Sequence, residues 1–285
     1  GLPVVFTPSE KAAYLPQDLI DKNPDVVLLD ILDTDPELLA ALRKSCGAKL
    51  VSFDDTRAGL ALADGVINAI VFHYGRYRPE DAKATLYQGP DYMVLQPSIL
   101  EQAATRRVFP ETVETVFLAF GGTDTHDVSA RALEALEGVS TPLSLRINLG
   151  PGARLSEPLQ KAIERSSHIV TLLENSPSLA KEFQSCDLVL CGGGNMLYEL
   201  AAMGVPSSAI ATEPHEVANI AFWENAGTTL GLGWEKELSL EEMGPRLESL
   251  IFDAEKRRKL SINGPKAVDG RGLSRCLDIV EDLVS

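Results

Sequence analysis

The sequence predicts an α/β protein built as two parallel-sheet lobes. Three observations predict it. Short apolar runs rich in β-branched residues alternate with segments of helical periodicity along the chain. The runs are continuously apolar, as in parallel strands covered on both faces. There are eleven of them, and a single twisted sheet rarely holds more than ~10 strands without splitting.

The expected strands, in order, are VVF (4–6), VVLLD (26–30), KLVSFDD (49–55), GVINAIVF (65–72), YMVLQ (92–96), TVFLAFGG (115–122), LSLRINLG (143–150), HIVTLL (168–173), DLVLCGGG (187–194), SSAIAT (207–212) and TTLGLG (228–233). Helical patterns fall at 36–46, 126–137, 155–166, 177–185, 195–203 and 216–226. A last helix over Gly272–Val284 places Leu273, Leu277, Val280 and Leu283 or Val284 on one face. The stretch AATRRVFPETVE (103–114) is polar, contains a proline and lacks periodicity, so it is the expected seam. The expected division is therefore 1–108, an N-terminal lobe; 109–265, a C-terminal nucleotide-binding lobe; and 266–285, a helix returning toward the first lobe.

Composition limits the partners. The 285 residues are 45% hydrophobic and 24% charged, enough to bury a core. The net charge of -15 opposes binding to nucleic acid or an anionic membrane. No apolar run approaches the ~20 residues of a membrane span, and the start GLPVVFTPSEK lacks the pattern of a secretory signal. Cys46, Cys186, Cys191 and Cys276 fit no zinc spacing and read as free thiols of a cytoplasmic protein. No metal or cofactor is expected.

Ligands of open α/β sheets bind beyond the carboxyl ends of the strands, so the residues just after each strand carry the chemistry. DLVLCGGGNMLYELAAMG reads as strand, glycine turn and helix. Gly192, Gly193 and Gly194 let backbone approach a ligand, and the helix N-terminus offers N–H groups and partial positive charge. Asn195 is a candidate N-cap. Glu199, one turn later, is a candidate acceptor for both hydroxyls of a ribose. FLAFGGTDTHD repeats the arrangement: Gly121 and Gly122 for close approach, Thr123 as a donor, and Asp124 as either a helix cap or a chemical group. This is not the dinucleotide fingerprint, because G-x-G-x-x-G is absent, as are G-x-S-x-G, HExxH and the Walker A sequence.

The first lobe supplies acids at strand ends, Asp30 and Asp33, then Asp54 and Asp55. They can do acid–base chemistry, hold a metal or make structural hydrogen bonds. His73, His126 and His215 follow strands or turns at the ligand-facing end, whereas His168 starts a strand and reads as structural.

Taken together, PDVVLLD (24–30), LVSFDD (50–55), INA (67–69), GPDYMVLQPSI (89–99), FLAFGGTD (117–124), CDLVLCGGGNMLYELAAMGVP (186–206) and VDGRGLSRCLDIV (268–280) resemble the UDP-sugar hydrolases of pseudaminic acid biosynthesis and the related spore-coat polysaccharide proteins. The resemblance covers nearly the whole chain. It implies the GT-B fold, two Rossmann-like lobes, and cleavage of a sugar–diphosphate bond with release of UDP and without a metal. It also implies that Gly192–Asn195 meet the diphosphate, Glu199 the ribose, and that Gly121–Asp124 line the cleft. Two departures stand out. The family's G-x-G-H-x-x-R loop has no counterpart, so the first lobe is expected to be truncated at its N-terminus, the site being completed by a missing segment or a partner chain. Where the family carries Asn-Gln, this chain has Glu216-Val217, leaving His215 or Asn219 as candidate substrate contacts. Without the family histidine, Asp30, Asp55 and His73 are the candidate catalytic groups. The expected function is UDP-sugar hydrolysis in nonulosonic acid or surface polysaccharide biosynthesis. The alternatives are glycosyl transfer from the same donor, and sugar-nucleotide binding without catalysis.

Overall fold

The computed structural model describes residues 21–31, 34–55, 61–71, 83–105, 109–124, 126–174, 176 and 178–285. The expected strand 4–6 and the candidates Asp33 and His73 lie outside these residues. In chain order the elements are β1 (Val26–Asp30), α1 (Pro36–Cys46), β2 (Lys49–Phe53), β3 (Gly65–Asn68), β4 (Thr85–Gln88), α2 (Pro97–Ala103), β5 (Thr115–Ala119), α3 (Val128–Leu136), β6 (Ser144–Leu149), α4 (Glu157–Arg165), β7 (Ile169–Glu174), α5 (Leu179–Ser185), β8 (Leu188–Gly192), α6 (Met196–Met203), β9 (Ser207–Ala211), α7 (Pro214–Asn225), β10 (Leu230–Trp234), α8 (Leu240–Phe252), α9 (Ala254–Ala267) and α10 (Gly272–Val284). The strands form two parallel sheets, in the orders β1-β2-β3-β4 and β10-β9-β8-β5-β6-β7.

The chain divides into two compact units. The first runs through Met93 and takes back Arg271–Ser285, and the second is Val94–Gly270. The expected border at residue 108 therefore differs from the contact border. The reason is α2, whose pattern sequence reading passed over: it packs on α5 and α6 of the second unit.

In the first unit the two faces of the sheet follow from the strand period of two. Asp35 caps α1 by accepting from Glu37 N (2.9 Å), and Gly47, at φ 65°, ends it. Leu39 and Leu42 of α1 cover Val27, Leu29 and Leu50 on one face. On the other, α10 lays Cys276 and Ile279 against Val51 and Ile67. Here the expectation is corrected: Leu273 and Leu277 are exposed, and the buried face is Gly272, Cys276 and Ile279. Gly272 sets that rotation, because a Cβ there would stand 2.0 Å from Met93 O.

Other elements also differ. YMVLQ is not a strand: Gly89 (φ 137°) and Pro90 turn the chain out of the sheet into a single 3-10 turn, and β4 comes from TLYQ instead. β3 stops at Asn68, because the next N–H groups, of Ala69 and Ile70, go to the Asp54 carboxylate (2.9 and 3.2 Å). The sequence pattern does not predict helices α8 and α9, since each contains a Gly-Pro pair (Gly244-Pro245 and Gly264-Pro265) that reads as a break. Gly264 has a packing cause. A Cβ there would lie 2.3 Å from Ala201 O, so α9 crosses α6 at backbone distance.

The second unit holds the larger core, built from β5, β6, β8 and the helices α3 and α8. The fully buried Arg257 ties its last two helices to the chain before β5, donating to Leu250 O (3.0 Å) and Glu111 O (2.7 Å). His168 is structural, as expected: its Nδ1 accepts from Leu143 N (3.3 Å) and its Nε2 faces Leu136 O (2.8 Å).

Candidate functional site

The order β10-β9-β8-β5-β6-β7 contains one reversal. From β5 the chain moves outward to β6 and β7, then crosses back to β8 on the other side of β5. The loops leaving β5 and β8 therefore diverge to opposite faces, and a crevice opens between them at the carboxyl end of the sheet. Ala119 and Cys191, the residues before the two glycine turns, are paired neighbours in the ladder. Gly121–Asp124 and Gly192–Asn195 are thus brought together at the switch point.

The first turn is shaped by backbone sterics. Gly121 sits at φ 77°, where a side chain is strained. Gly121, Gly122 and Thr123 are exposed. A second loop, not singled out from the sequence, supports them from behind. Gly152 N donates to Gly122 O (3.0 Å), and a Cβ on Gly150 would lie 2.7 Å from Gly122 Cα. The signal was the G-P-G at the end of the 143–150 run. Asp124 resolves to a cap: its two oxygens accept from Val128 N (2.9 Å) and Ser129 N (3.1 Å) at the start of α3. Its charge is spent on that helix, which leaves α6 as the N-terminus at the crevice.

In the second turn the three glycines are not equivalent. A Cβ on Gly193 would stand 2.7 Å from Glu216 Cβ and 2.9 Å from Ile220 Cδ1, so α7 demands a glycine there. At Gly192 and Gly194 the nearest atom is Glu216 Oε1, at 3.8 and 3.5 Å, an ordinary contact. Packing explains the middle glycine and leaves the outer two available for close approach by something else. Asn195 stands at the N-cap of α6, as expected, but is exposed and makes no side-chain capping bond.

Glu199 lies in the first turn of α6, half-buried. Burial raises its pKa above the ordinary carboxylate range. No hydrogen bond or ion pair meets it among the described residues. Nearby Cys191 is fully buried, and burial, with the charges of Glu216 and Glu199, pushes its thiol far up, so it is inert.

Two candidate assignments are corrected. Asn219 is 0% exposed and cannot touch a substrate. Its amide donates to Gly193 O, and its Oδ1 accepts from Trp223 Nε1 (3.1 Å). Asp55 is buried and accepts from Ser52 Oγ (3.1 Å), which makes it part of the first unit's core. Asp54, at φ 50°, accepts the Ala69 and Ile70 N–H groups; burial raises its pKa in spite of those bonds, and Asp30's charge adds to the rise. Asp30 itself is exposed at the end of β1. His215 lies at the start of α7, half-buried. Glu216 is a buried brace, its Oε2 accepting from Thr212 N (2.7 Å), Thr212 Oγ1 (2.9 Å) and Glu213 N (3.3 Å).

No family model matches the chain. The solved structure of MurG from Acinetobacter baumannii superposes over 93% of this chain and 76% of its own, with a TM-score of 0.66 at 15% identity. The two-lobed parallel α/β arrangement is the GT-B fold. Anabaena HepE in complex with UDP-glucose superposes over 94% of this chain and 81% of its own, with a TM-score of 0.55 and 15% identity. In sequence, the chain is similar to the spore coat polysaccharide biosynthesis protein SpsG of Bacillus subtilis, at 25% identity over 95% of this chain and 80% of SpsG. It is also 24% identical, over 59% of its length and 45% of the relative's, to a UDP-N-acetylglucosamine–N-acetylmuramyl-(pentapeptide) pyrophosphoryl-undecaprenol N-acetylglucosamine transferase of an Anaeromyxobacter species. No helix among the described residues is long and apolar enough to cross a membrane.

Proposed function

We propose that this protein binds a UDP-sugar and transfers its glycosyl group in the making of a surface polysaccharide. The observation that carries the reading is the unpartnered, half-buried Glu199 one turn into α6, behind a glycine turn at the switch point. Backbone N–H groups of Gly192–Asn195 and the N-terminus of α6 receive the diphosphate, with Gly121–Thr123 opposite. Glu199 accepts from the ribose hydroxyls, which return the hydrogen bonds that its burial removed.

The chemical step follows from this. The bond from the anomeric carbon to the β-phosphate oxygen breaks, and its electron pair leaves with UDP. The acceptor oxygen bonds to the anomeric carbon, and its proton passes to solvent or to the departing diphosphate. Amides fixed before the reaction stabilise the departing charge without reorganising. Transfer is favoured over hydrolysis by the transferase name of one relative, while the UDP-glucose complex of a structural neighbour supports the donor class common to both. Hydrolysis uses the same donor site with water as acceptor, and the sequence resemblance to UDP-sugar hydrolases keeps it as the second reading.

Calorimetry with UDP tests the site. The expected result is binding by the wild type and a loss of roughly tenfold or more in Glu199→Ala. Absence of UDP binding by the wild type, or equal affinity in the variant, refutes the reading. Chromatography of UDP released from a panel of UDP-sugars then separates the two reactions: release in buffer alone means hydrolysis, and release only on adding saccharide or lipid-linked acceptors means transfer.

A further inference from the structure

The turn that leaves β5 also contributes to a charged cluster with an unsatisfied member. Glu235 follows β10, and its side chain is 8% exposed. Its Oε2 pairs with Arg131 NH1 of α3 (3.0 Å), and Arg131 also donates to the Glu235 carbonyl (2.7 Å) and to Leu238 O. Its Oε1 is buried without a hydrogen-bond partner. That oxygen faces His126 Nδ1 at 3.8 Å, and the His126 side chain is 35% exposed.

The position of the cluster follows from the strand order. His126 belongs to the turn leaving β5, and Glu235 to the end of β10. Between those strands stand β8 and β9, so the separation is three strand spacings, ~14 Å. The two residues nevertheless meet, and Gly192–Asn195 follow β8, one of the two strands that stand between theirs. The ring has Nδ1 toward a buried carboxylate and remains partly exposed, a few residues after Gly121–Thr123 in the same turn.

We infer that His126 is the side-chain cation of the nucleotide site and takes up a proton when the diphosphate binds. The inference rests on the nucleotide-binding reading above. An imidazole between a buried carboxylate and a phosphoryl group is stabilised doubly protonated, with both ring nitrogens donating. Binding then draws in one proton from solvent, and Glu235 Oε1 gains the donor it lacks. The charged groups around the ring are consistent with this. Arg131 is held by the other Glu235 oxygen and two carbonyls, and Asp124 is committed to the α3 N–H groups. Asp127 is the ring's neighbour in the chain, at the N-cap of α3.

The test is calorimetry of UDP binding near neutral pH in buffers of different ionisation enthalpy, which counts protons exchanged. Wild type is compared with His126→Gln and Glu235→Gln, so that the nucleotide's own protonation cancels. The expected result is a proton uptake by wild type that is absent in His126→Gln, with affinity down roughly tenfold, and reduced in Glu235→Gln. Thermal unfolding checks that both variants fold; His126→Gln, at an exposed position, carries the test if Glu235→Gln does not. Equal proton counts in wild type and His126→Gln overturn the inference and leave the nucleotide site standing. A wild type that binds no UDP overturns both.

Discussion

Asn219 donates its side-chain amide to the main-chain carbonyl of Gly193, the middle glycine of the turn after β8. One buried side chain of α7 thereby fixes the backbone from which α6 departs. The same amide accepts from Trp223 Nε1, and Trp223 packs edge-on against Tyr198 of α6 with ring centroids 4.7 Å apart. Replacing Asn219 by Ala leaves both the Gly193 carbonyl and the indole N–H without their partner. A loss of about 2–4 kcal/mol is expected in urea unfolding. A variant with unchanged stability and a raised substrate KM would show that Asn219 contacts substrate after all.

The glycine triplet separates into one residue that packing requires and two that it does not. Gly193→Ala forces a methyl into Glu216 and Ile220, and is expected to lower stability by about 1–3 kcal/mol. Gly192→Ala and Gly194→Ala meet only ordinary contacts and do not require left-handed backbone, so their melting temperatures should stay near wild type. Their UDP affinity should fall if the proposed site is right, because there the diphosphate approaches the backbone that the new methyls would cover. Equal melting losses in all three variants would remove the distinction.

The exposed stripe of α10 gives a third prediction. Leu277→Lys should change stability by no more than about 0.5 kcal/mol, whereas Ile279→Lys, against Val51 and Ile67, should cost about 3 kcal/mol or more. Denaturant melts of the two variants decide it, and the reverse ranking would restore the face read from apolar spacing alone.

That helix illustrates what was legible in the sequence. Apolar periodicity identified its existence and span, but Leu273, Cys276, Leu277, Ile279 and Val280 define two overlapping stripes. The choice between them was made by Gly272 against Met93, a contact distant in sequence. The central strands of the second unit were legible as apolar runs closed by glycine or a polar residue, and β6 (SLRINL) by its alternation, which buries every second residue. YMVLQ misled because its apolar content resembles a strand, while the preceding Gly-Pro directs the chain elsewhere. At the site, the two glycine turns were legible as strand ends. The fates of Asp55 and Asn219 were not, since burial by residues far along the chain decides whether a polar side chain serves a ligand or the core. Glu235 escaped notice for the same reason: only the strand order brings it to His126.

Asp54 is expected to be a structural acceptor. Its Oδ1 holds the N–H groups of Ala69 and Ile70 as β3 ends. Asn keeps an acceptor oxygen and tolerates the left-handed backbone at φ 50°. Asp54→Asn should therefore fold with near wild-type stability, while Asp54→Ala should lose about 1–3 kcal/mol in the same melts. Equal loss in both would mean that the negative charge, rather than the acceptor, is what the fold needs.

Glu199 makes stability depend on pH. Burial raises its pKa in the folded chain above the unfolded value of about 4.3. The fold thus favours the neutral acid. The stabilisation associated with that acid is complete below the unfolded value and is lost as pH rises through the raised folded value. Gln imitates the neutral form at every pH. Glu199→Gln should therefore melt above wild type at neutral pH, with the difference closing as pH falls toward about 4. On the proposed ribose-binding role of Glu199, saturating UDP should narrow or reverse the gap at neutral pH, the hydroxyls satisfying the carboxylate that burial disfavours. Melting curves across pH with and without UDP measure both effects. A Gln variant no more stable than wild type at neutral pH would show that the carboxylate is already satisfied within the protein, and the argument for a ligand there would lapse.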